Sequence, residues 1–208
     1  MAGSTPRAAT ARRKKDLTRE RILHAAARVF RDRGYAATRL ADVARAAGMQ
    51  AGSLYYHFNS KEHLLSEVLE TGIERVSQSV RAAIAAVPAD RPWREQLEAA
   101  ITAHVESLHR HEAFSSATFR NLGRVPKSIR ERHMQRRRAY GLVWRDLLRD
   151  GRRKGAIRKD IDLTLAEMLL LGALNWSIEW FEPARKTISV LAVQAYLLLG
   201  EGMVDRGA

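Results

Sequence analysis

Between Gly48 and Leu65 the chain reads GMQAGSLYYHFNSKEHLL, a stretch crowded with hydrogen-bonding side chains. An amide such as Gln50 and a hydroxyl such as Ser53 match base edges or phosphate oxygens, and the small Ala51 and Gly52 let backbone come close to a partner. Tyr55, Tyr56 and His57 add donors suited to a phosphate backbone. Lys61 would stand in the first turn of a following helix, where free N–H groups and the positive dipole end also favour phosphate. Ser53 and His57, four apart, also have the types of a nucleophile and its base. No nucleophile turn or oxyanion-donor pattern accompanies them, so catalysis is not expected. Tyrosines and a phenylalanine occur as readily in a core as on a contact surface, and only the elements around them decide between the two.

Those elements read as helices. Ile22, Ala26, Val29 and Phe30 mark one face of a first helix that Asp16 or Thr18 would cap and Gly34 would end. Leu40, Val43, Ala44 and Ala47 repeat at helical spacing in a short second helix, with Thr38 expected as N-cap and Gly48 as the stop. A third short helix spans about Gln50 to His57, with Leu54 and Phe58 pointing inward. From Leu65 to Val87 apolar residues trace one face of a long fourth helix, capped by Asn59 or Ser60. Two short helices separated by a glycine turn and resting on a preceding helix form a helix-turn-helix, whose second helix enters the DNA major groove.

Charge agrees with an anionic partner. The 208 residues carry a net +13, and residues 1–66 hold 13 Lys+Arg against 5 Asp+Glu. Residues 1–16 lack aromatic and branched apolar anchors and are expected to form a mobile basic arm. No cysteine occurs, which excludes disulfides and thiolate metal sites and suits a reducing compartment. No secretory signal is recognisable, and the longest apolar stretches, 163–174 and 188–200, fall short of the roughly 18 residues that span a bilayer. A cytoplasmic protein without membrane contact is expected.

Residues 36–65, AATRLADVARAAGMQAGSLYYHFNSKEHLL, resemble the DNA-binding region of the TetR/AcrR family of bacterial transcriptional repressors. The run G-x-x-x-G-S-L-Y-Y-H-F-x-S-K-E-x-L is that family's hallmark. The resemblance implies an all-α, nine-helix fold: a helix-turn-helix domain over 17–64, following the arm, and a ligand-binding and dimerisation domain over 65–208. It further implies that Thr38, Tyr55, Tyr56, His57 and Lys61 hold phosphates, that Arg39, Gln50 and Ser53 read bases, and that a homodimer binds a palindromic operator on double-stranded DNA until a small molecule releases it. A regulator that activates, or that takes no small molecule, fits the same residues. An all-α enzyme lacks a catalytic constellation, and a basic membrane-surface protein does not account for a capped, turn-separated helix.

Past residue 70 the periodicity predicts five further helices: 94–111, 112–122, 127–150, 163–180 and 187–203, with no strand alternation. The last two are apolar nearly all round, so they are expected to pack centrally or against a second subunit as a four-helix bundle. LNWSIEWFEP, at the end of the eighth, resembles a subgroup some of whose members respond to acyl-coenzyme A thioesters. An acyl-CoA or fatty acid is the expected effector, held between the fifth to eighth helices by His104, Phe114, Arg120, Tyr140, Trp144, Asn175 and Trp176. Trp144, Trp176, Trp180 and Phe181 suit a cavity or plain core and dimer packing equally. His104, His109 and His111 with Glu106 and Glu112 have metal-ligand types, but solvated histidines near a helix end account for them, and neither a metal nor a cofactor is expected. Arg136–Arg138 and Arg152–Lys154 are candidates for a second nucleic-acid surface, though Arg152–Lys154 also complements a helix C-terminus.

Overall fold

The computed structural model describes residues 6–204. The described residues form an all-α fold: α1 Pro6–Ala37, α2 Leu40–Ala46, α3 Ala51–His57, α4 Lys61–Ala86, α5 Trp93–Arg110, α6 Glu112–Asn121, α7 Lys127–Arg153, α8 Leu163–Trp180 and α9 Ile188–Ala195. A π-helical turn, Tyr196–Gly200, continues α9, so the expected ninth helix of 187–203 is interrupted. Among the described residues the only extended pairing is an isolated antiparallel bridge between Ile157 and Val204.

The mobile arm expected for residues 1–16 is corrected for its later part, because α1 begins at Pro6. Residues 1–5 lie outside the described ones. Alanine, arginine and lysine between Pro6 and Asp16 are good helix formers and need no apolar face to extend a helix nucleated by the buried turns beyond residue 21. At the other end, Gly34 takes φ 75°, ψ 168°, a left-handed φ that glycine adopts without a Cβ penalty, and α1 breaks there.

The interior forms two clusters. One joins Ile22, Ala26 and Phe30 of α1, Val43 of α2, Leu54 and Phe58 around α3, Leu65 and Leu69 of α4, and Phe114 and Ala117 of α6. The other joins Val76 and Val80 of α4 with Leu97, Ile101, Trp144, Leu148, Leu170, Leu174 and Tyr196. Helix α4 passes through both clusters, and α6 packs its apolar face into the first. In the second, Trp93 donates Nε1–H to the Leu147 carbonyl at 2.9 Å. A Cβ on Gly151 would lie 2.3 Å from the Trp93 ring, so only glycine admits that contact.

Helices α8 and α9 bury little within one chain. In α8 only Glu167, Leu170, Leu174 and Ser177 are buried, and in α9 only Ala192. Leu165, Leu169, Trp176, Trp180, Val193, Leu197 and Leu198 stand exposed along them. Large apolar side chains left open on both helices mark a surface suited to a partner.

Candidate DNA interface and effector cavity

The helix-turn-helix is built by three local devices. Arg39 is the residue before α2, and its amide donates to Asp42 Oδ2 at 3.3 Å. Gly48, at φ 63°, turns the chain, and the Met49 amide reaches the Ala44 carbonyl at 3.0 Å. Ser60 caps α4 by accepting from the His63 amide at 3.0 Å. With Leu54 and Phe58 fully buried beneath it, α3 turns its opposite side outward: Gln50, Ala51, Gly52 and Ser53 are exposed, and so are Tyr55 and Tyr56, at 55% and 76%. Arg39 and Arg45 of the neighbouring helix are exposed as well.

The extension of α1 brings further cations to this face. Lys15 Nζ sits 5.5 Å from the centre of the Tyr56 ring, and the Arg19 guanidinium lies 4.8 Å from that of Phe58. Partial burial, followed by the nearby charges of Lys15 and Arg19, lowers the pKa of His57, so its imidazole is neutral at pH 7 and offers one N–H. The sequence patterns that signal DNA-contacting helices do not extend to Lys15 and Arg19. Their only signal is the basic composition of the N-terminal third.

Two of the expected phosphate contacts stand differently. Thr38 is neither cap nor surface residue: it is 1% exposed and its hydroxyl donates to the Gly34 carbonyl at 2.7 Å, which excludes a phosphate contact through that side chain. Lys61 donates from Nζ to the Tyr35 carbonyl at 3.0 Å and lies 4.4 Å from the centre of the Tyr35 ring. Two of its three N–H groups remain for phosphate.

In the second half of the chain a cavity of about 930 Å³ opens between α4, α5, α6, α7 and α8. Ile73, Val76, Leu108, Phe119, Leu122, Met134 and Leu171 supply apolar wall. His104, Tyr140 and Asn175 line it as expected. His104 Nδ1 meets the Tyr140 hydroxyl at 2.6 Å, while Nε2 has no partner. Burial lowers the His104 pKa to about 4, and the nearby Asn175 side chain, able to accept from a charged ring, offsets this only in part. His133, 3% exposed, lines the same cavity with both ring nitrogens unpartnered, and burial, then Arg137, takes its pKa to about 4. Buried imidazoles without partners are costly unless something polar meets them.

The remaining four expected wall residues lie elsewhere. Phe114 is buried in the first cluster against Gly72, and its ring meets the edge of His24. Arg120 is exposed and donates to the Arg31 carbonyl at 3.1 Å. Trp144 is buried behind the cavity, edge-on to His104 with ring centres 5.8 Å apart. Trp176, 61% exposed, belongs to the open stripe of α8. Each shares a helix with true wall residues but turns to another side, a distinction that depends on packing angle and not on helical position alone. Missed by sequence reasoning were His133 and the pair Arg145 Nε to Glu167 Oε2 at 2.8 Å, with Glu167 buried. A glutamate inside the apolar run of α8 was the available signal. Among the described residues no group of three histidines or carboxylates could hold a metal ion.

A family model described as bacterial regulatory proteins, tetR family, matches residues 22–68, and one described as tetracyclin repressor-like, C-terminal domain, matches residues 90–197. The chain belongs to the TetR family. It is accordingly a DNA-binding transcriptional regulator, with α2 and α3 as the helix-turn-helix of that family. Among the TetR proteins it resembles, the HTH-type transcriptional repressor KstR2 of Mycolicibacterium smegmatis is 29% identical over 99% of this chain and 97% of its own length. The fatty acid metabolism regulator protein of Bacillus subtilis is 23% identical over 76% of this chain and 79% of its own. In structure the chain matches the TetR family regulator PfmR of Thermus thermophilus, with TM-score 0.75 at 30% identity over 87% of this chain and 95% of that one. The ketosteroid transcriptional regulator KstR2 of Mycobacterium tuberculosis gives TM-score 0.78 at 25% identity over 90% and 95%. No helix of the described residues is long and apolar enough to cross a membrane.

Proposed function

We propose that the protein is a homodimeric repressor that binds a palindromic operator through α3 and releases it when a small molecule fills the α4–α8 cavity. It acts in the cytoplasm, catalyses no reaction, and uses Arg39, Gln50 and Ser53 toward bases and Tyr55, Tyr56, His57 and Lys61 toward phosphates. The observation that carries the effector is the cavity, faced by two buried histidines, His133 with both ring nitrogens unpartnered and His104 with Nε2 unpartnered. Two-fold pairing of α8 and α9 would cover the open apolar stripe and set two recognition helices about one DNA turn, ~34–36 Å, or a multiple of it, apart.

An acyl-CoA or fatty acid is the proposed ligand. An apolar wall suits the chain, the buried imidazoles suit a carbonyl oxygen, and Arg137 and Arg138, exposed on the lining and in no ion pair among the described residues, suit a carboxylate or phosphate at the mouth. The names of the Bacillus subtilis relative and of the KstR2 structure, fatty acid and ketosteroid regulators, agree with an oxygenated apolar molecule. An inducer must bind the DNA-incompetent state better, and by linkage operator must weaken its binding by the same factor. Palmitoyl-CoA and palmitate, titrated against the protein with and without the tightest duplex selected from a random pool, test both effects. Stabilisation of the fold together with release of the duplex supports the assignment. Acyl-CoAs and fatty acids of varied length that do neither sink it.

A further inference from the structure

The break in α1 at Gly34 leaves main-chain groups without helical partners, and α6 meets the Phe30 and Arg31 carbonyls and the Tyr35 amide. A ψ of 168° at Gly34 turns the Tyr35 amide out of the helix, and Asn121 Oδ1 accepts it at 2.5 Å. Asn121 Nδ2 donates to the Phe30 carbonyl at 3.0 Å and to Ala117 of its own helix at 2.7 Å. The Arg31 carbonyl, which an unbroken helix would pair with the Tyr35 amide, takes the Arg120 guanidinium at 3.1 Å. At the other end of α6, Glu112 pairs with Arg31 at 2.5 Å.

The same short segment is held from the DNA side. Lys61, in the first turn of α4, takes the Tyr35 carbonyl, and the Tyr35 hydroxyl donates to Glu62. The Thr38 hydroxyl closes back on the Gly34 carbonyl, one residue before the start of the helix-turn-helix at Arg39. On the opposite side of α6, Ser115, Thr118, Phe119 and Leu122 form cavity wall. One ten-residue helix therefore carries the cavity on one face and the broken end of α1 on the other.

We propose that Asn121, assisted by Arg120, is the positioning residue that couples the cavity to the helix-turn-helix. The coupling works by holding the Gly34 break to α6, so that a displacement of the cavity wall moves residues 35–38 and the helices they lead into. This rests on the effector reading above. It goes further by naming the contact through which occupancy is felt. Side chains that only stabilised α6 would not need to meet amide and carbonyl groups of another helix at the one point where its own ladder fails.

The test uses the full-length protein and the tightest duplex selected from a random pool. Because coupling is reciprocal, duplex bound at α3 must change amide exchange across residues 115–122, by about 5-fold or more. Asn121→Ala is expected to bind the duplex within about threefold of the unmutated protein yet to lose that distant change in exchange. Asn121→Ala also leaves the part-buried Tyr35 amide unpaired and endangers the fold, so a milder variant accompanies it. Arg120→Met removes only the exposed bond to Arg31, and is expected to fold and to reduce the change. An unaltered change in exchange in folded Asn121→Ala and in Arg120→Met, or no change at α6 in the unmutated protein, overturns the proposal. A parallel titration with palmitoyl-CoA keeps the two readings apart: failure to bind removes the acyl effector and leaves the exchange result to decide the coupling.

Discussion

A charge placed at Leu198 should split the proposed dimer, and the same charge at Leu191 should destabilise the fold. Both leucines lie in the last helical stretch, seven residues apart, but Leu198 is 75% exposed, whereas Leu191 is packed against the second core cluster. Burying a leucine side chain is worth about 1.5–3 kcal/mol, so covering three-quarters of it once on each protomer of a two-fold interface gives about 2–4.5 kcal/mol per dimer. Losing that raises the dissociation constant by roughly two to three powers of ten. The carboxylates of Leu198→Glu add the further cost of unpaired charge brought into an apolar contact. Sedimentation velocity at micromolar concentration should then show a monomer that melts at nearly the original temperature and binds the selected duplex weakly, since only one recognition helix engages at a time. Leu191→Glu instead forces a charge against its own chain's core, a loss of about 3 kcal/mol or more, and should lower the melting temperature by roughly 6–12 °C. A Leu198→Glu protein that remains a tight dimer, or a Leu198→Glu protein that melts as early as Leu191→Glu, refutes the assignment of this face.

The other expectations concern bases, pH and packing. Gln50→Ala should cost about 1–3 kcal/mol on the selected duplex and relax preference at one symmetric pair of positions, and equal losses on selected and random duplexes remove Gln50 as a base reader. Lys61→Ala should lower the slope of log affinity against log salt by about one unit on any duplex, which a salt titration measures. His104 and His133 have pKa values lowered by burial from 6.5 to about 4, so between those values the unfolded chain binds more protons than the folded one. Stability is therefore complete above about pH 6.5 and falls as pH drops toward 4, by up to ~1.4 kcal/mol per pH unit for each histidine. Denaturant melts at pH 7 and 5 should differ less in a His104→Phe, His133→Leu double variant. Gly151→Ala drives a methyl into the Trp93 ring and should destabilise by about 1–3 kcal/mol in the same melts, with duplex affinity unchanged at low temperature.

Helical periodicity made the element order and most boundaries legible because most of the helices have a buried face of their own, as with Ile22, Ala26 and Phe30. Where that face is missing, it misled. The first turns of α1 have no apolar anchor and form from propensity and continuity with the buried turns that follow. Thr38 had the type and place of an N-cap, yet the left-handed turn at Gly34 points a carbonyl at its hydroxyl and draws the side chain inward, leaving Arg39 as the cap residue. The exposed side of α3 was readable from spacing alone, since the burial of Leu54 and Phe58 orients everything between them. The cavity was not, because its walls come from five helices and a wall residue differs from a core residue only in what stands opposite. His104 and Trp144 touch edge to face, and only the first lines the space.

That difference between face and opposite face also orders the function along one helix. α6 is short, polar at intervals, and unremarkable in its sequence EAFSSATFRN, but each kind of residue in it has a separate neighbour. Phe114 and Ala117 pack into the first cluster with α1 and α4, Ser115, Thr118 and Phe119 stand on the cavity, and Arg120 and Asn121 hold the carbonyls and amide at the Gly34 break. A rigid helix of ten residues cannot shift on its cavity side while remaining still on the others, because close-packed contacts move as units. Any molecule large enough to press on Thr118 and Phe119 therefore acts on the end of α1 and, through Tyr35 and Lys61, on the start of α4. On the proposed reading, regulation requires no long relay: the cavity wall and the anchor of the DNA-reading helices are two sides of the same ten residues.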